Sequence, residues 1–143
     1  CDHAGFALKE IAINQIIKNG HKTLDLGTDT DQKPVDYPDF AAAVARAVLE
    51  GKADRGVVIC GSGIGACIAA NKFKGIRAGL CHDTYSASQG VLHDDMNVLC
   101  LGARVIGPSL ACAVLDAFLS SSFTNETRHV RRLDKIKALE AGK

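Results

Sequence analysis

One stretch near the middle of the chain combines a thiol with a glycine-rich turn, GVVICGSGIGACIAANK at 56–72. Its first part is apolar and rich in β-branched residues, which is typical of a buried strand, and the part after Gly65 is typical of a helix. Gly61 and Gly63 leave backbone N–H groups open to a ligand at the helix start, where the helix dipole favours negative charge. The same field stabilises a thiolate, so Cys60 stands where a cysteine can act as a base or a nucleophile.

Three other interpretations of this stretch have to be weighed. Cysteine is among the residues most often buried, so a turn that serves packing alone fits as well. A phosphatase loop clamps phosphate with an arginine six positions after its cysteine, and Ala66 stands there. A dinucleotide-binding loop has the spacing GxGxxG in the first strand–helix unit, whereas the glycines here follow GxGxG in the third unit. The stretch alone therefore leaves packing and acid–base chemistry open.

The composition indicates a globular protein that binds small molecules rather than polymers. The chain has 143 residues, 47% of them hydrophobic, with 17 basic and 16 acidic side chains, which suits one domain with a real core. A net charge of +1 and 5% aromatic residues argue against nucleic acid as a partner. No apolar run approaches the roughly 20 residues of a membrane span. The six cysteines lack CxxC spacing and favour free thiols of a reducing cytoplasm over disulfides or zinc, so we expect a cytoplasmic protein without a metal.

Apolar periodicity predicts strict alternation of strands and helices. Strands are expected at 21–26, 57–60, 76–81 and 97–101, and helices at 6–17, 39–51, 66–72, 84–92, 109–119 and 126–141. Because residues 1–5 are typical of a loop between a strand and a helix, we expect a further strand upstream of Cys1. The prediction is a single doubly wound α/β domain over 1–143, Rossmann- or flavodoxin-like, with about five parallel strands in the order 2-1-3-4-5 and helices on both faces.

This topology predicts where a ligand binds. Doubly wound sheets bind ligands at the carboxyl ends of the strands, at the point where the strand order reverses. That point lies between the loop at 1–5 and the turn at 60–65. The side chains expected in this crevice are Asp2, His3, Cys60 and Ser62.

Six motifs along the chain support a more specific interpretation. They are CDHAG at 1–5, DYP at 36–38, CGSGIG at 60–65, IAANK at 68–72, NVL at 97–99 and GARVIG at 102–107. Together they resemble the type B ribose-5-phosphate isomerases, a family that includes the galactose-6-phosphate isomerase subunits. The resemblance implies a cofactor-free aldose–ketose isomerase of ribose 5-phosphate and ribulose 5-phosphate. It also implies a homodimer or homotetramer whose active sites are shared between subunits.

The resemblance implies roles in proton transfer. Moving a proton between C2 and C1 of a sugar needs a base and a site for the enediolate oxygen. The family uses either a cysteine at the strand end or a glutamate after the last glycine. Because Ala66 occupies the position of that glutamate, the resemblance implies the cysteine version, with Cys60 as the base. Ser62 is implied to move protons between the sugar oxygens. The implied oxyanion site comprises Gly61, Gly63, Gly65 and Asn97.

The resemblance also implies roles in ring opening and phosphate binding. His93 matches the ring-opening histidine, with Asp2 as its partner, although HDDMN at 93–97 has an aspartate where asparagine is frequent. Arg128 and Arg132 are four residues apart and share one helix face. In the family such a pair reaches across the dimer interface to the phosphate, so we expect the helix within 123–143 to pack on or reach into a neighbouring subunit. His3 and Arg104 are implied to assist at the phosphate, and Tyr37 to line the sugar pocket.

Two alternatives accompany this interpretation. One is an isomerase of a six-carbon phosphosugar such as galactose or allose 6-phosphate, because the length of the pocket is not encoded in a motif. The other is a non-catalytic flavodoxin-like module that binds a phosphorylated ligand. A binding module has no need of a thiol, a hydroxyl, a carboxylate and two histidines around one crevice, which favours the enzyme.

Overall fold

A computed structural model describes residues 1–142, which form six helices around a small parallel sheet. Lys143, the last residue of the predicted domain, lies outside the described residues. None of the helices in this range is both long and apolar enough to cross a membrane. The strands are β1 (Gly56–Cys60), β2 (Ala78–Leu80) and β3 (Val98–Gly102). The helices are α1 (Phe6–Lys18), α2 (Tyr37–Leu49), α3 (Ile64–Ala70), α4 (Thr84–Asp94), α5 (Pro108–Ser120) and α6 (Thr127–Glu140).

The sheet has β3 in its centre, in the order β1-β3-β2. Both neighbours run parallel to β3, with Gly56 opposite Val98 and Cys60 opposite Gly102. The predicted order, with the strand at 76–81 between the other two, is wrong. All five residues of β3 are buried, whereas β2 has three residues and leaves Leu80 37% exposed. The uniformly apolar strand takes the position that is covered on both sides, and the short strand takes the edge.

The segment at 21–26, predicted as a strand, is irregular and forms no ladder among the described residues. A groove of about 720 Å³ separates it from β1. The segment is held at its end, where Lys9 Nζ lies 2.7 Å from Asp25 Oδ2 and Thr28 N–H donates to the Cys1 carbonyl at 3.0 Å. Asp2 N–H in turn donates to the Ile59 carbonyl at 3.3 Å, so Cys1 and Asp2 lie between Thr28 and β1.

Helices cover both faces of the sheet, as predicted. Successive residues of β3 point to opposite faces, so Leu99 and Leu101 join one core while Cys100 joins the other. The first core contains residues of α1, α4 and α5, and the second contains residues of α2 and α3. Cys60, at the end of β1, belongs to the second core.

The charged helix α6 packs against α4 of its own chain. Its buried side chains are His129 and Leu133. The connection before it is fixed by Thr124 N–H, which donates to the Leu92 carbonyl at 3.1 Å. The end of α4 and the beginning of α6 therefore lie side by side.

Candidate active site

The glycine turn between β1 and α3 depends on Gly63. This residue has φ +79°, a left-handed conformation that favours glycine. A Cβ atom there would lie 2.9 Å from the Leu101 carbonyl carbon and would overlap the Leu80 side chain. The backbone of the turn is thus pressed against β3 and cannot accept a side chain at this position.

The turn presents the Cys60 thiol at the carboxyl end of β1. The Cys60 side chain is buried, and the Gly63 N–H donates to its sulfur at 3.1 Å. Because α3 has only seven residues, its helix dipole is small. The Gly63 N–H is therefore the main source of positive potential close to the sulfur. The contact orients the sulfur and complements the charge of a thiolate.

The other polar groups of the turn face outward. Ser62 is exposed, and its Oγ accepts from Ile64 N–H at 3.3 Å. Among the described residues, the N–H groups of Gly61 and Gly65 donate to no backbone or side-chain acceptor. These N–H groups are therefore available to an oxyanion next to Cys60.

Asp2 and His3 lie in the neighbouring loop. Asp2 is buried and its Oδ1 accepts from Gly5 N–H at 2.9 Å, while Gly5 packs so closely on the Ile59 carbonyl that no Cβ fits there. His3 Nδ1 lies 3.2 Å from both the N and the O of Val35. The predicted meeting of this loop with the end of β1 is present.

Tyr37 and Arg104 border the same turn. The Tyr37 ring lies against Gly65, where a Cβ would come within 2.6 Å of its Cζ. Arg104 N–H donates to the Gly61 carbonyl at 3.0 Å, and its guanidinium extends along Gly61. Among the described residues, no carboxylate lies within 4 Å of this guanidinium. We call this group the thiol half-site: Asp2, His3, Tyr37, Cys60, Gly61, Ser62, Gly63, Gly65 and Arg104.

Asn97 does not belong to the thiol half-site of its own chain, and its place in an oxyanion site stays a prediction. It precedes β3 at the amino edge of the sheet, and Cys60 is at the carboxyl edge. Four residues of strand separate the two edges, about 13 Å at 3.3 Å per residue. The Asn97 amide is used in the chain itself, since Oδ1 accepts from Arg77 N–H at 2.8 Å and Nδ2 donates to the Gly75 carbonyl at 2.9 Å.

His93 also lies away from Cys60 and Asp2. It is in the last turn of α4, and the residue after that helix, Asp95, is bound at the amino edge. There Arg77 donates from Nε to the Asp95 carbonyl at 2.7 Å and from Nη2 to Oδ2 at 2.6 Å. The predicted pairing of His93 with Asp2 does not occur within one chain.

The two helical arginines accompany His93. Arg128 and Arg132 are exposed on α6, on either side of His129, whose ring stacks on His93 at 4.1 Å between centroids. Arg128 Nε donates to Glu126 Oε2 at 2.8 Å. We call His93, Arg128 and Arg132 the arginine half-site. The predicted site residues thus lie in two groups at opposite edges of the sheet, with Asn97 at the same edge as the arginine half-site.

His82 is a residue of the site that the motifs did not indicate. It follows β2 at the carboxyl edge, and its Nε2 accepts from Gly102 N–H at 2.9 Å. Gly102 packs against the Ser62 backbone, where a Cβ would come within 2.6 Å of the Ser62 carbonyl carbon. His82 therefore fixes the end of β3 behind Ser62. Its position directly after the strand predicted at 76–81 is the sequence feature that could have indicated it.

All six cysteines are free, and Cys67 of α3 packs near Cys100 of β3. The Cys100 thiol, with smaller contributions from the Leu80 backbone and the Asn71 amide, lowers the pKa of Cys67 below its usual value. Burial raises the pKa of Cys81 to about 11. No group of three or more His, Cys, Asp or Glu side chains among residues 1–142 is arranged to hold a metal ion.

Cys67 is expected to be alkylated well before Cys81. The thiolate is the reactive form, so iodoacetamide should label Cys67, whose pKa is lowered, at a lower pH than Cys81, whose pKa is raised by burial. Peptide mass spectrometry of briefly labelled, folded protein measures both sites, with Cys67→Ser as the control. Equal labelling of the two cysteines at pH 7.5 would contradict the assignment.

The fold is that of a doubly wound α/β protein, and the thiol half-site lies at the carboxyl edge of its sheet. The family model described as Ribose/Galactose Isomerase matches residues 1–136, and the chain belongs to that family. It is 44% identical over 140 residues to ribose-5-phosphate isomerase B of Escherichia coli, covering 98% of this chain and 93% of the relative. It is also 44% identical over 123 residues to the D-erythrulose-4-phosphate isomerase of Pectobacterium atrosepticum, a match that covers 85% of this chain and 80% of the relative.

A solved structure supports the fold assignment. Ribose-5-phosphate isomerase B of Mycoplasma genitalium, with bound ribulose-5-phosphate, superposes with a TM-score of 0.91 at 39% identity. The match covers 99% of this chain and 93% of that structure.

Proposed function

We propose that this protein interconverts D-ribose 5-phosphate and D-ribulose 5-phosphate in the cytoplasm, as a step of the pentose phosphate pathway. The observation that carries the proposal is the Cys60 thiol, which is hydrogen-bonded to Gly63 N–H and bordered by available backbone N–H groups, in a chain of the ribose/galactose isomerase family. A relative at 44% identity over nearly the whole chain bears the name of this activity.

In this proposal Cys60 is the base. Its thiolate takes the C2 proton of the open-chain aldose and returns it to C1. Between the two steps the negative charge resides on an enediolate oxygen, which the N–H groups of Gly61 and Gly65 stabilise. The exposed Ser62 hydroxyl transfers the proton between O2 and O1, so that proton balance is complete without a cofactor.

The complete site takes the arginine half-site from a second copy of the chain. His93 lies near the amino edge, about 13 Å from Cys60 along the sheet, too far to touch the same sugar within one chain. Arg128 and Arg132 flank His129, which stacks on His93, so they belong with His93. An apolar surface suited to a subunit contact adjoins the thiol half-site, where Ile64 and Ile68 of α3 are 53% and 57% exposed. The oligomer is at least a homodimer, with α6 of one subunit at the active site of the other.

Ring opening falls to His93 of that second copy, with Asp2. The amide nitrogen of Gln89 faces His93 Nδ1 at 3.0 Å. An amide NH₂ group only donates, so Nδ1 accepts and neutral His93 carries its proton on Nε2. That proton is the one a general acid gives to the ring oxygen, while the buried Asp2 carboxylate accepts from the anomeric hydroxyl.

The activity is tested by mixing purified protein with D-ribose 5-phosphate and following ketose formation. Conversion with kcat above about 1 s⁻¹, in the usual range of enzymes, supports the proposal. The same assay with D-erythrose 4-phosphate, D-allose 6-phosphate and D-galactose 6-phosphate ranks the substrates by kcat/KM. Absence of turnover of ribose 5-phosphate at millimolar concentration excludes the proposed activity.

Arg132→Ala is expected to raise KM for ribose 5-phosphate by about 10- to 100-fold and to leave kcat within about threefold. A charge-assisted hydrogen bond to phosphate contributes about 1.5–3 kcal/mol to binding and is present before and during the reaction. Steady-state kinetics measures both constants. Arg131→Ala, an exposed arginine of the same helix outside the half-site, is the matched control and should change neither constant. A fall in kcat at unchanged KM would contradict the phosphate role.

A further inference from the structure

His129 is the one histidine of α6, and it is almost fully buried although it stands between two exposed arginines. Neither ring nitrogen has a hydrogen-bond partner among the described residues. The nearest carboxylate oxygen, Oε2 of Glu126, is 3.8 Å from Nε2, beyond hydrogen-bond distance. Hydrogen bonds thus do not explain the position of this ring.

The contact that His129 does make is with the face of His93. The two rings are 4.1 Å apart between centroids and inclined by 21°, a stacked arrangement. Burial, together with the positive charges of His93 and Arg128, lowers the pKa of His129. The ring is accordingly neutral at neutral pH, and a neutral aromatic face is compatible with either protonation state of His93.

The ring of His93 is held by one contact at its edge and one on its face. Gln89 engages Nδ1 at one edge of the ring, and His129 covers one face. A hydrogen bond at one ring nitrogen leaves the imidazole free to swing about that contact, whereas a stacked face restricts the swing. Gln89 at the edge and His129 on the face together determine the direction of Nε2.

We propose that His129 is a positioning residue that aims Nε2 of His93 at the sugar ring of the substrate without touching the substrate itself. The inference rests on the ring-opening role of His93 under the proposed function. Because the contribution of His129 is an aromatic face, phenylalanine can replace it and alanine cannot. Phenylalanine also removes two buried nitrogens without partners, so His129→Phe is expected to be at least as thermally stable as the wild type.

The test is a double-mutant cycle on kcat/KM for ribose 5-phosphate, with wild type, His129→Ala, His93→Ala and the double variant. His129→Ala is expected to lower kcat/KM by about 10- to 100-fold in the wild-type background, since misplacing a catalytic group by about 1 Å has effects of this size. In the His93→Ala background the same substitution is expected to change kcat/KM by less than about twofold, since the residue acts only through His93. His129→Phe should stay within about threefold of wild type.

The outcomes separate a positioning role from a structural one. A similar loss from His129→Ala in both backgrounds would mean that the residue supports the fold or touches the substrate, and would overturn the proposal. So would a His129→Ala variant with the wild-type rate, or a folded His129→Phe variant as slow as His129→Ala. Circular dichroism and thermal unfolding verify folding of each variant. Failure of the proposed function has a different signature, namely a wild-type protein that does not convert ribose 5-phosphate, or His93→Ala with an undiminished rate.

Discussion

Replacing Cys60 with alanine is expected to lower kcat for ribose 5-phosphate by about 10²- to 10⁴-fold, the usual contribution of a general base. The thiol is the only ionisable side chain of the glycine turn at 60–65, and the Gly63 N–H points at its sulfur. Substrate affinity should change little, because the phosphate is held by other residues. Ketose formation measures kcat, and isothermal titration calorimetry with ribose 5-phosphate measures binding to the inactive variant.

Two further variants sharpen this result. Cys60→Ser keeps the size of the side chain but replaces the thiol by a group that hardly ionises, so it should be nearly as slow as Cys60→Ala. Cys112→Ala removes a free, partly buried cysteine of α5 outside the site and should retain the wild-type rate. A Cys60→Ala protein that turns over at near wild-type rate would show that another group is the base.

Hybrid oligomers built from two inactive variants are expected to recover activity. Cys60→Ala disables the thiol half-site of its own chain, and His93→Ala disables the arginine half-site of its own chain. If each active site combines half-sites of two chains, a hybrid dimer has one site with both changes and one site with neither. Random pairing of equal amounts in a C₂ dimer makes half of the dimers hybrid, so about a quarter of the wild-type activity should return.

The matched control pairs two variants of the same half-site. Cys60→Ala combined with Asp2→Asn should stay inactive in every hybrid, since each thiol half-site then has one defect. Asparagine at this position retains the oxygen that accepts from Gly5 N–H, so the loop is preserved. Co-expression with two affinity tags gives the hybrids, and ketose formation gives their activity. Equal recovery in both pairings, or none in either, would contradict a site shared between subunits.

The sequence by itself determined the parts of this protein that depend on neighbouring residues. A strand of β-branched residues, a glycine-rich segment and a following helix specify the turn that carries Cys60, because sterics and backbone hydrogen bonding act over a few residues. The alternation of elements likewise predicted helices on both faces of a parallel sheet, and with them the meeting of Asp2 and His3 with Cys60. The family resemblance added the residue types of the arginine half-site and implied that its arginines reach across a subunit interface.

Only the tertiary structure decided which strand is central and which edge each polar residue occupies. The order β1-β3-β2 follows from burying the most apolar strand on both sides, a long-range packing choice that the local pattern of 76–81 and 97–101 does not express. A helix that returns antiparallel to the strands ends at their amino edge, which places His93 with Asn97 rather than with Cys60. For that physical reason one folded chain holds two half-sites, and the stack of His129 on His93 becomes visible only in three dimensions.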